Sequence, residues 1–371
     1  MKLRIFAIIL SAIVCQFSAA QGMAVEQGKI ERFTPGEVWP DTDGKPIQAH
    51  GGGILISGNT YYWYGEDRTP GNKTGVSCYS STDLYNWKHE GVVLPNDALP
   101  PQISNISFIE RPKVIFNSKT GKYVLWFHLE QQGYHYASAG IAISDKPTDP
   151  FVFFTSMRPI KDDINFADND PDRQKEFGGT FRDMNLFVDD DGKAYVFYAS
   201  ENNATMYVVR LNDEFTGPES PAVQNKTWAR ILIGRSREAP APFKFKDRYY
   251  LITSGCTGWR PNAAEYDVAD NILGPWESRG NPCVGPEADI TFRTQSTFVL
   301  PVFGKTGCYI FMADRWTPRR LYDSRYVWLP LILKPDLSDL SDESDKADGT
   351  FTLEWKNEWD LSIFEETDTA R

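Results

Sequence analysis

Apolar and aromatic residues alternate with polar ones in five short stretches along the chain. Each stretch follows a turn, and their tyrosines Tyr62, Tyr123, Tyr195, Tyr250 and Tyr309 are separated by 61, 72, 55 and 59 residues. A period of two is typical of β-strands with one buried face. Several short strands repeated at this spacing predict a five-bladed β-propeller with about four strands in each blade. A β-sandwich and an open solenoid are the alternatives.

The five repeats occupy nearly all of the chain after its N-terminus, so we expect residues 21–371 to form a single all-β domain. A polar run at 336–349, DLSDLSDESDKADG, interrupts the last repeat. Its composition is typical of a solvated or locally disordered loop.

The N-terminus has the order of a secretory signal peptide: basic residues at Lys2 and Arg4, an apolar run at 5–14, then small residues up to Ala20. We therefore assign residues 1–20 to a signal peptide and expect a secreted protein, either extracellular or periplasmic. The apolar run is too short for an ordinary membrane span, and no later stretch approaches the roughly 20 apolar residues needed. We expect no membrane association once the signal is removed.

Composition narrows the class of partner. A net charge of −11 and a pI near 5.0 argue against nucleic acid, whose phosphates require a positive surface. The 11 Trp and 17 Tyr suit stacking on sugar rings as well as core packing, so we expect a carbohydrate partner and a monomeric protein. The cysteines left after the signal, Cys78, Cys256, Cys283 and Cys308, could pair in three ways.

Four polar residues stand at equivalent points of successive repeats, where an apolar strand begins: Glu110 in IERPKVIF, Asp183 in FRDMNLFVDDDG, Glu238 in REAPAPFKF and Gln295 in RTQSTFVLP. A single Glu before Arg-Pro is more often part of a salt-bridged turn. Together, these residues predict a cluster around the propeller axis, where like charges and desolvation raise the pKa of at least one carboxyl. Such a group stays protonated near neutral pH and can protonate a leaving oxygen, as glycoside cleavage requires.

The chain resembles glycoside hydrolase family 43, and within it the exo-β-1,3-galactanase branch, over nearly its full length after the signal. The resemblance implies a five-bladed propeller and an inverting, exo-acting hydrolase that releases β-1,3-linked galactose from arabinogalactan-type polysaccharides. The matching segments include IQAHGGGILISGNTYYWYGEDR at 47–68, IERPKVIFN at 109–117, RDMNLFVDDDG at 182–192, REAPAPFKFKDRYYLITSGCTGWRPN at 237–262, TQSTFVLP at 294–301 and MADRW at 312–316.

The resemblance also implies roles. Glu238 matches the general acid, Asp183 the carboxylate that keeps its pKa high, and Glu110 a pocket glutamate that grips a ring hydroxyl. Most of the family has an Asp base in the first blade, but residues 48–50 here are Gln, Ala and His. In the galactanase branch a glutamine, here Gln295, takes its place and is proposed to hold the attacking water as an imidic acid tautomer.

Further sugar contacts implied by the resemblance are Glu66, Tyr134, Thr257, Trp259, Asp314 and Arg315. For Asp314 and Arg315, ion pairing between blades is as strong an expectation as sugar contact. For Trp259, core packing is as strong an expectation as sugar contact. No cofactor is expected. Some relatives hold a structural calcium ion near the axis, but the four histidines here lack ligand spacing, so such a site is not indicated.

Two alternatives stay open on sequence alone. Related branches of the family remove α-L-arabinofuranose or β-galactofuranose, and a few pocket contacts separate these specificities. The missing first-blade Asp also allows a non-catalytic sugar-binding propeller, although the presence of both Asp183 and Glu238 argues against it.

Overall fold

A computed structural model describes residues 28–70, 75–104, 107–161, 171–335 and 349–365. The predicted signal peptide and residues 336–348 of the predicted polar loop lie outside this range. The described residues form five antiparallel sheets of three or four strands, which we call blades I to V, and two short strand pairs.

The strands of each blade follow one another in the chain and pair in that order, from the innermost strand to the outermost. Blade I has β1 His50–Ser57, β2 Thr60–Asp67, β3 Gly75–Ser81 and β4 Lys88–Leu94; blade II has β5 Ser107–Asn117, β6 Lys122–Gln131, β7 Ser138–Ser144 and β8 Val152–Met157; blade III has β9 Arg182–Val188, β10 Ala194–Ser200, β11 Thr205–Arg210 and β12 Trp228–Ile231; blade IV has β13 Arg237–Phe245, β14 Arg248–Gly255, β15 Glu265–Ala269 and β16 Glu277–Gly280; blade V has β18 Gln295–Pro301, β19 Cys308–Arg315 and β20 Arg325–Ile332.

The innermost strands contact one another in cyclic order: β1 with β5, β5 with β9, β9 with β13, β13 with β18, and β18 with β1. This closed ring is a five-bladed β-propeller, so the predicted fold is confirmed and the sandwich and solenoid alternatives are wrong. The regular tyrosine spacing has a simple origin, since Tyr62, Tyr123, Tyr195, Tyr250 and Tyr309 lie in the second strand of each blade.

The remaining α-helices and strands are short. They are α1 Pro101–Ser104, α2 Pro171–Phe177, β17 Cys283–Val284, β21 Lys334–Pro335, β22 Gly349–Thr350 and β23 Leu353–Glu354, with β17 paired to β23 and β21 to β22. Neither helix in the described part of the chain has the length and apolarity that crossing a membrane takes.

The two ends of the described chain close the ring between blades I and V. Phe33 and Trp359 exchange backbone hydrogen bonds, and the Gly36 amide donates to the Tyr326 carbonyl of β20. The segment around Gly36 thus lies beside β20, where the other blades have a fourth strand. The core at this junction is aromatic, with Trp63 and Trp328 fully buried, so much of the high tryptophan content serves packing.

Each innermost strand carries a β-bulge near its start. The register shifts between His50 and Gly53, Glu110 and Lys113, Arg182 and Met184, Glu238 and Ala241, and Ser296 and Phe298. In four of the bulges a residue is left-handed: Gly51, Arg111, Asp183 and Ala239. A bulge bends its strand and redirects the neighbouring side chains. The predicted equivalence holds only approximately: Glu110 and Glu238 directly precede the left-handed residue of their bulge, Asp183 is that residue, and Gln295 lies just before its bulge.

All four cysteines after the signal lie within the described residues, and each is a free thiol. Cys78, Cys283 and Cys308 are buried in three different core clusters, and Cys256 is exposed. The structure therefore forms none of the three pairings that the sequence allowed.

The close approach of β2 to the chain before β1 gives a stability prediction. A Cβ added at Gly65 would lie 2.0 Å from the Ala49 carbonyl carbon, whereas one at Gly217 would meet nothing closer than 3.7 Å. Because backbone cannot yield as a flexible side chain can, we expect Gly65→Ala to lower the free energy of unfolding by about 3 kcal/mol. Urea unfolding should show Gly217→Ala close to wild type; equal stability of the two variants would contradict the packing.

Candidate active site

A cavity of about 400 Å³ lies at the end of the hub where the bulged strands begin, and all five blades contribute to its wall. Its volume is within the range of small-molecule sites. The lining residues are Glu66, Arg68, Glu110, Arg111, His128, Gly133, Tyr134, His135, Arg182, Asp183, Asn203, Glu238, Gly258, Trp259, Gln295 and Trp316. The four residues predicted to meet at the axis are all among them.

Glu238 has the properties expected of a proton donor. Its Oε1 accepts a hydrogen bond from Gln295 Nε2 at 3.0 Å, and its Oε2 accepts one from Asn203 Nδ2 at 3.1 Å. Burial, and then the negative charge of Asp183, raise the pKa of Glu238 to about 7, against the opposing charge of Arg111. Near neutral pH a substantial fraction of this carboxyl is therefore protonated, which suits a general acid.

Arg111 lies at the centre of the polar network. Its backbone amide donates to Glu66 Oε1 at 2.9 Å, and its Nη1 donates to the Ser296 carbonyl at 2.8 Å. Its Nη2 hydrogen-bonds the Gln295 Oε1 and lies 3.3 Å from Asp183 Oδ2. The buried guanidinium thus joins blade II to blades III and V, and the backbone amide of the same residue joins it to blade I.

Gln295 has a partner for every polar atom of its amide. Oε1 accepts from Arg111 and from Trp316 Nε1 at 2.9 Å, and Nε2 donates to Glu238 and to Ser254 Oγ at 3.0 Å. Guanidinium and indole are donors only. An imidic hydroxyl at Oε1 would face two donors with no acceptor for its proton, so this geometry favours the ordinary amide over the expected tautomer.

Glu110 is held as a carboxylate. Tyr134 Oη donates to its Oε1 at 2.7 Å, and His128 Nδ1 lies 3.2 Å from its Oε2. Burial alone would raise the pKa of Glu110, but His128 and Arg68 outweigh it and lower the pKa to about 2. An ionised carboxylate accepts hydrogen bonds without donating any, so the expected grip on a ring hydroxyl fits these surroundings.

His128 lies between two carboxylates, with Nε2 3.3 Å from Glu130 Oε2. Burial lowers its pKa, but Glu110 and Glu130 more than compensate and raise it to about 9. The imidazole is therefore cationic at neutral pH. On the blade I side, Glu66 is buried and accepts from Arg68 Nε at 2.8 Å.

The other predicted sugar contacts divide into two groups. Glu66, Tyr134 and Trp259 line the cavity, and the half-exposed Trp259 packs edge-on against Trp316 with ring centroids 5.5 Å apart. Thr257 does not reach the wall, because its hydroxyl donates to the Arg260 carbonyl at 2.5 Å within its own loop.

Asp314 and Arg315 are also outside the wall. Asp314 is buried beneath the cavity, where it accepts from the Gly51 amide at 2.5 Å and lies 3.4 Å from His50 Nδ1. Arg315 donates to the Phe292 carbonyl and lies over the Trp355 ring at a separate cavity of about 500 Å³. Asp314 thus links blade V to blade I, whereas Arg315 contacts the segment before β18 and the Trp355 ring.

The family model for glycosyl hydrolases family 43 matches residues 52–315. The chain belongs to glycosyl hydrolase family 43. No curated protein matches the sequence. Among solved structures, a family 43 β-1,3-galactosidase is 36% identical over 91% of this chain and 65% of its own, with a TM-score of 0.77.

Two further solved structures have similar scores. A family 43 β-1,3-galactosidase solved with galactodeoxynojirimycin is 41% identical over 89% of this chain and 100% of its own, with a TM-score of 0.76. An exo-β-1,3-galactanase from Clostridium thermocellum is 37% identical over 88% of this chain and 66% of its own, with a TM-score of 0.74. The chain thus spans about two thirds of two of these relatives and the whole of the other.

Family membership makes the chain a glycoside hydrolase that acts on carbohydrate. Several cavity residues of this family 43 enzyme are not predicted from the sequence: Arg68, Arg111, His128, Arg182 and Asn203. For Arg111 a signal was present, because it directly follows Glu110 in a strand predicted to face the axis, where a cation was needed among acids. Nothing comparable marked Asn203, which lies in the turn between two strands.

Within the described ranges, no group of three or more His, Cys, Asp and Glu side chains is placed to hold a metal ion.

The charge of Asp183 gives a prediction for Glu238. Because a neighbouring negative charge disfavours ionisation, Asp183→Asn should lower the pKa of Glu238. The alkaline limb of activity, where the general acid loses its proton, should move to lower pH. A carboxyl-¹³C NMR titration, with Glu238 assigned through Glu238→Gln, measures this directly, and the exposed Asp213→Asn is the matched control. An unchanged or raised pKa in Asp183→Asn would refute the coupling.

Proposed function

We propose that this family 43 enzyme is an inverting, exo-acting β-1,3-galactanase that releases galactose from β-1,3-galactan chains of arabinogalactan-type polysaccharides. The observation that carries the proposal is a protonatable Glu238 beside Asp183 in a cavity shared by all five blades. The relatives named above, at 36–41% identity, support the choice of sugar and linkage.

In the proposed reaction Glu238 protonates the glycosidic oxygen as the bond to the anomeric carbon breaks. Glu110, ionised and fixed by His128 and Tyr134, accepts a hydrogen bond from a ring hydroxyl, and Trp259 offers an apolar face to the sugar. Gln295 positions the attacking water on the opposite face of the ring.

The absence of a first-blade Asp base is compatible with this reaction. Glycoside cleavage passes through an oxocarbenium-like transition state, in which the anomeric carbon is strongly electrophilic. Water bonded to such a carbon becomes acidic and can pass its proton late to a solvent water, so a well-placed water matters more than a strong base. An amide can place a water although it has no basic site near neutral pH.

Export and oligomeric state also belong to the proposal. The signal-like residues 1–20 and the polymeric substrate favour a secreted enzyme that works as a monomer. A polysaccharide too large to enter a cell has to be cut outside the cytoplasm.

Product analysis on β-1,3-galactan tests the reaction. We expect free galactose from the earliest times, with no larger oligosaccharide, and ¹H NMR should show the α-anomer first because inversion converts the β-linkage. Aryl α-L-arabinofuranoside and β-galactofuranoside serve as parallel substrates. Faster cleavage of either would assign the enzyme to a related specificity, and a β-anomeric first product would exclude inversion.

Glu238→Gln tests the catalytic role against simple sugar binding. Losing the proton donor should lower kcat by about 10²–10⁴-fold, while galactose still binds by calorimetry. The exposed Glu214→Gln is the matched control and should be fully active. A Glu238→Gln variant as active as wild type would contradict the assignment of the acid.

A further inference from the structure

The Arg111 side chain is anchored on three sides although it belongs to one strand. It is buried, and its nitrogens contact the Ser296 carbonyl, the Gln295 amide oxygen and the Asp183 carboxylate. Its guanidinium carbon also lies 5.8 Å from the centre of the Trp316 ring. The partners come from blades III and V, so the side chain spans the cavity floor between Asp183 and Gln295.

We propose that Arg111 is a positioning residue for hydrolysis: together with Trp316 it clamps the carbonyl oxygen of Gln295, which keeps Gln295 an amide and directs its NH₂ group toward Glu238. This inference rests on the proposed function, since it assigns the orientation of the group that places the water.

The clamp follows from hydrogen-bonding capacity. Neither Arg nor Trp can accept a hydrogen bond, so only an oxygen suits the side of the amide that faces them. On the other side, Glu238 Oε1 and Ser254 Oγ can both accept from Nε2. A flipped amide would place its NH₂ group against the two donors, Arg111 and Trp316. Its hydrogen bonds to the two acceptors, Glu238 and Ser254, would be lost. The orientation of Gln295 is therefore determined by its neighbours.

Arg111 acts on Glu238 in a second way, through charge. The groups that face Glu238 are Asp183 from β9, Arg111 from β5, and Cys256 just after β14, with the neutral Asn203 and Gln295 as hydrogen-bond donors. Asp183 favours the protonated acid and Arg111 favours the carboxylate. Arg111 thus opposes the effect of Asp183 on the pKa of Glu238. The pKa stays at about 7, where the carboxyl can both lose and regain its proton near neutral pH.

Arg111→Met tests the clamp. Without the guanidinium, the Gln295 amide can rotate and the water loses its place, so kcat should fall about 100-fold with little change in KM. Removing a cation beside Glu238 should also raise its pKa, and the alkaline limb of the kcat profile should move to higher pH. A merely structural arginine would not produce this directional shift.

Three further variants separate the parts of the inference. Arg111→Lys keeps the charge but cannot form the same contacts, so it should lower kcat without moving the alkaline limb. Trp316→Phe removes the other donor and should do the same. Arg68→Met removes a cavity guanidinium that contacts Glu66 and Glu110 instead; it should raise KM and leave the alkaline limb in place.

Outcomes for the clamp and for the proposed function are distinguishable. Wild-type kcat in Arg111→Met, or an alkaline limb that stays in place, would overturn the clamp while leaving galactan cleavage intact. The carboxyl-¹³C titration of Glu238 needs no substrate, so a raised pKa in Arg111→Met supports the charge role even if wild type released no galactose. If Arg111→Met does not fold, full activity in both Arg111→Lys and Trp316→Phe would reject the inference.

Discussion

The site depends on one backbone constraint, the bulge at the start of each innermost strand. Five strands converge on the axis, and a regular strand would point alternate residues at the hub and away from it. The extra residue breaks this alternation once per blade, as at Arg111, Asp183 and Ala239, whose left-handed backbone is uncommon for residues other than glycine. Because every bulge lies near the start of its strand, polar side chains from separate blades meet around one cavity.

Bringing acids together in this way costs free energy, and the cavity floor offsets the cost with buried cations. Arg68 forms ion pairs with Glu66 and Glu110, and the guanidinium of Arg111 forms one with Asp183. Below them, Lys113 is buried and donates to the Gly51 carbonyl at 2.7 Å. Burial, and then Arg111, lower the pKa of Lys113 to about 7. The floor thus carries less positive charge than its residue types suggest.

The sequence predicted the parts of the molecule that repeat. The tyrosine spacing marked the second strand of every blade, and the equivalent places of Glu110, Asp183, Glu238 and Gln295 marked the axis. It could not predict contacts set by distant partners: Arg111 and Gln295 are 184 residues apart. The direction of side chains at strand ends could not be predicted from the sequence either. Asp314, Arg315 and Trp316 are consecutive, yet only Trp316 reaches the cavity, and no local pattern distinguishes the three.

The hydrogen bond between Gln295 and Glu238 shows how substrate must change the site. In an inverting hydrolase the acid and the water-holding group act on opposite faces of the sugar, and carboxyl pairs in that role are about 6.5–9.5 Å apart. In the inverting reaction proposed above, the 3.0 Å contact belongs to the resting enzyme, and it would have to open when a sugar ring enters. In the proposed complex, the ring hydroxyl bound by Glu110 and the sugar face against Trp259 would supply that free energy, because binding energy remote from the reacting bond can drive rearrangement at it. A sugar that lacks those contacts would leave Gln295 on Glu238, so the pocket would discriminate between substrates by whether the acid is released.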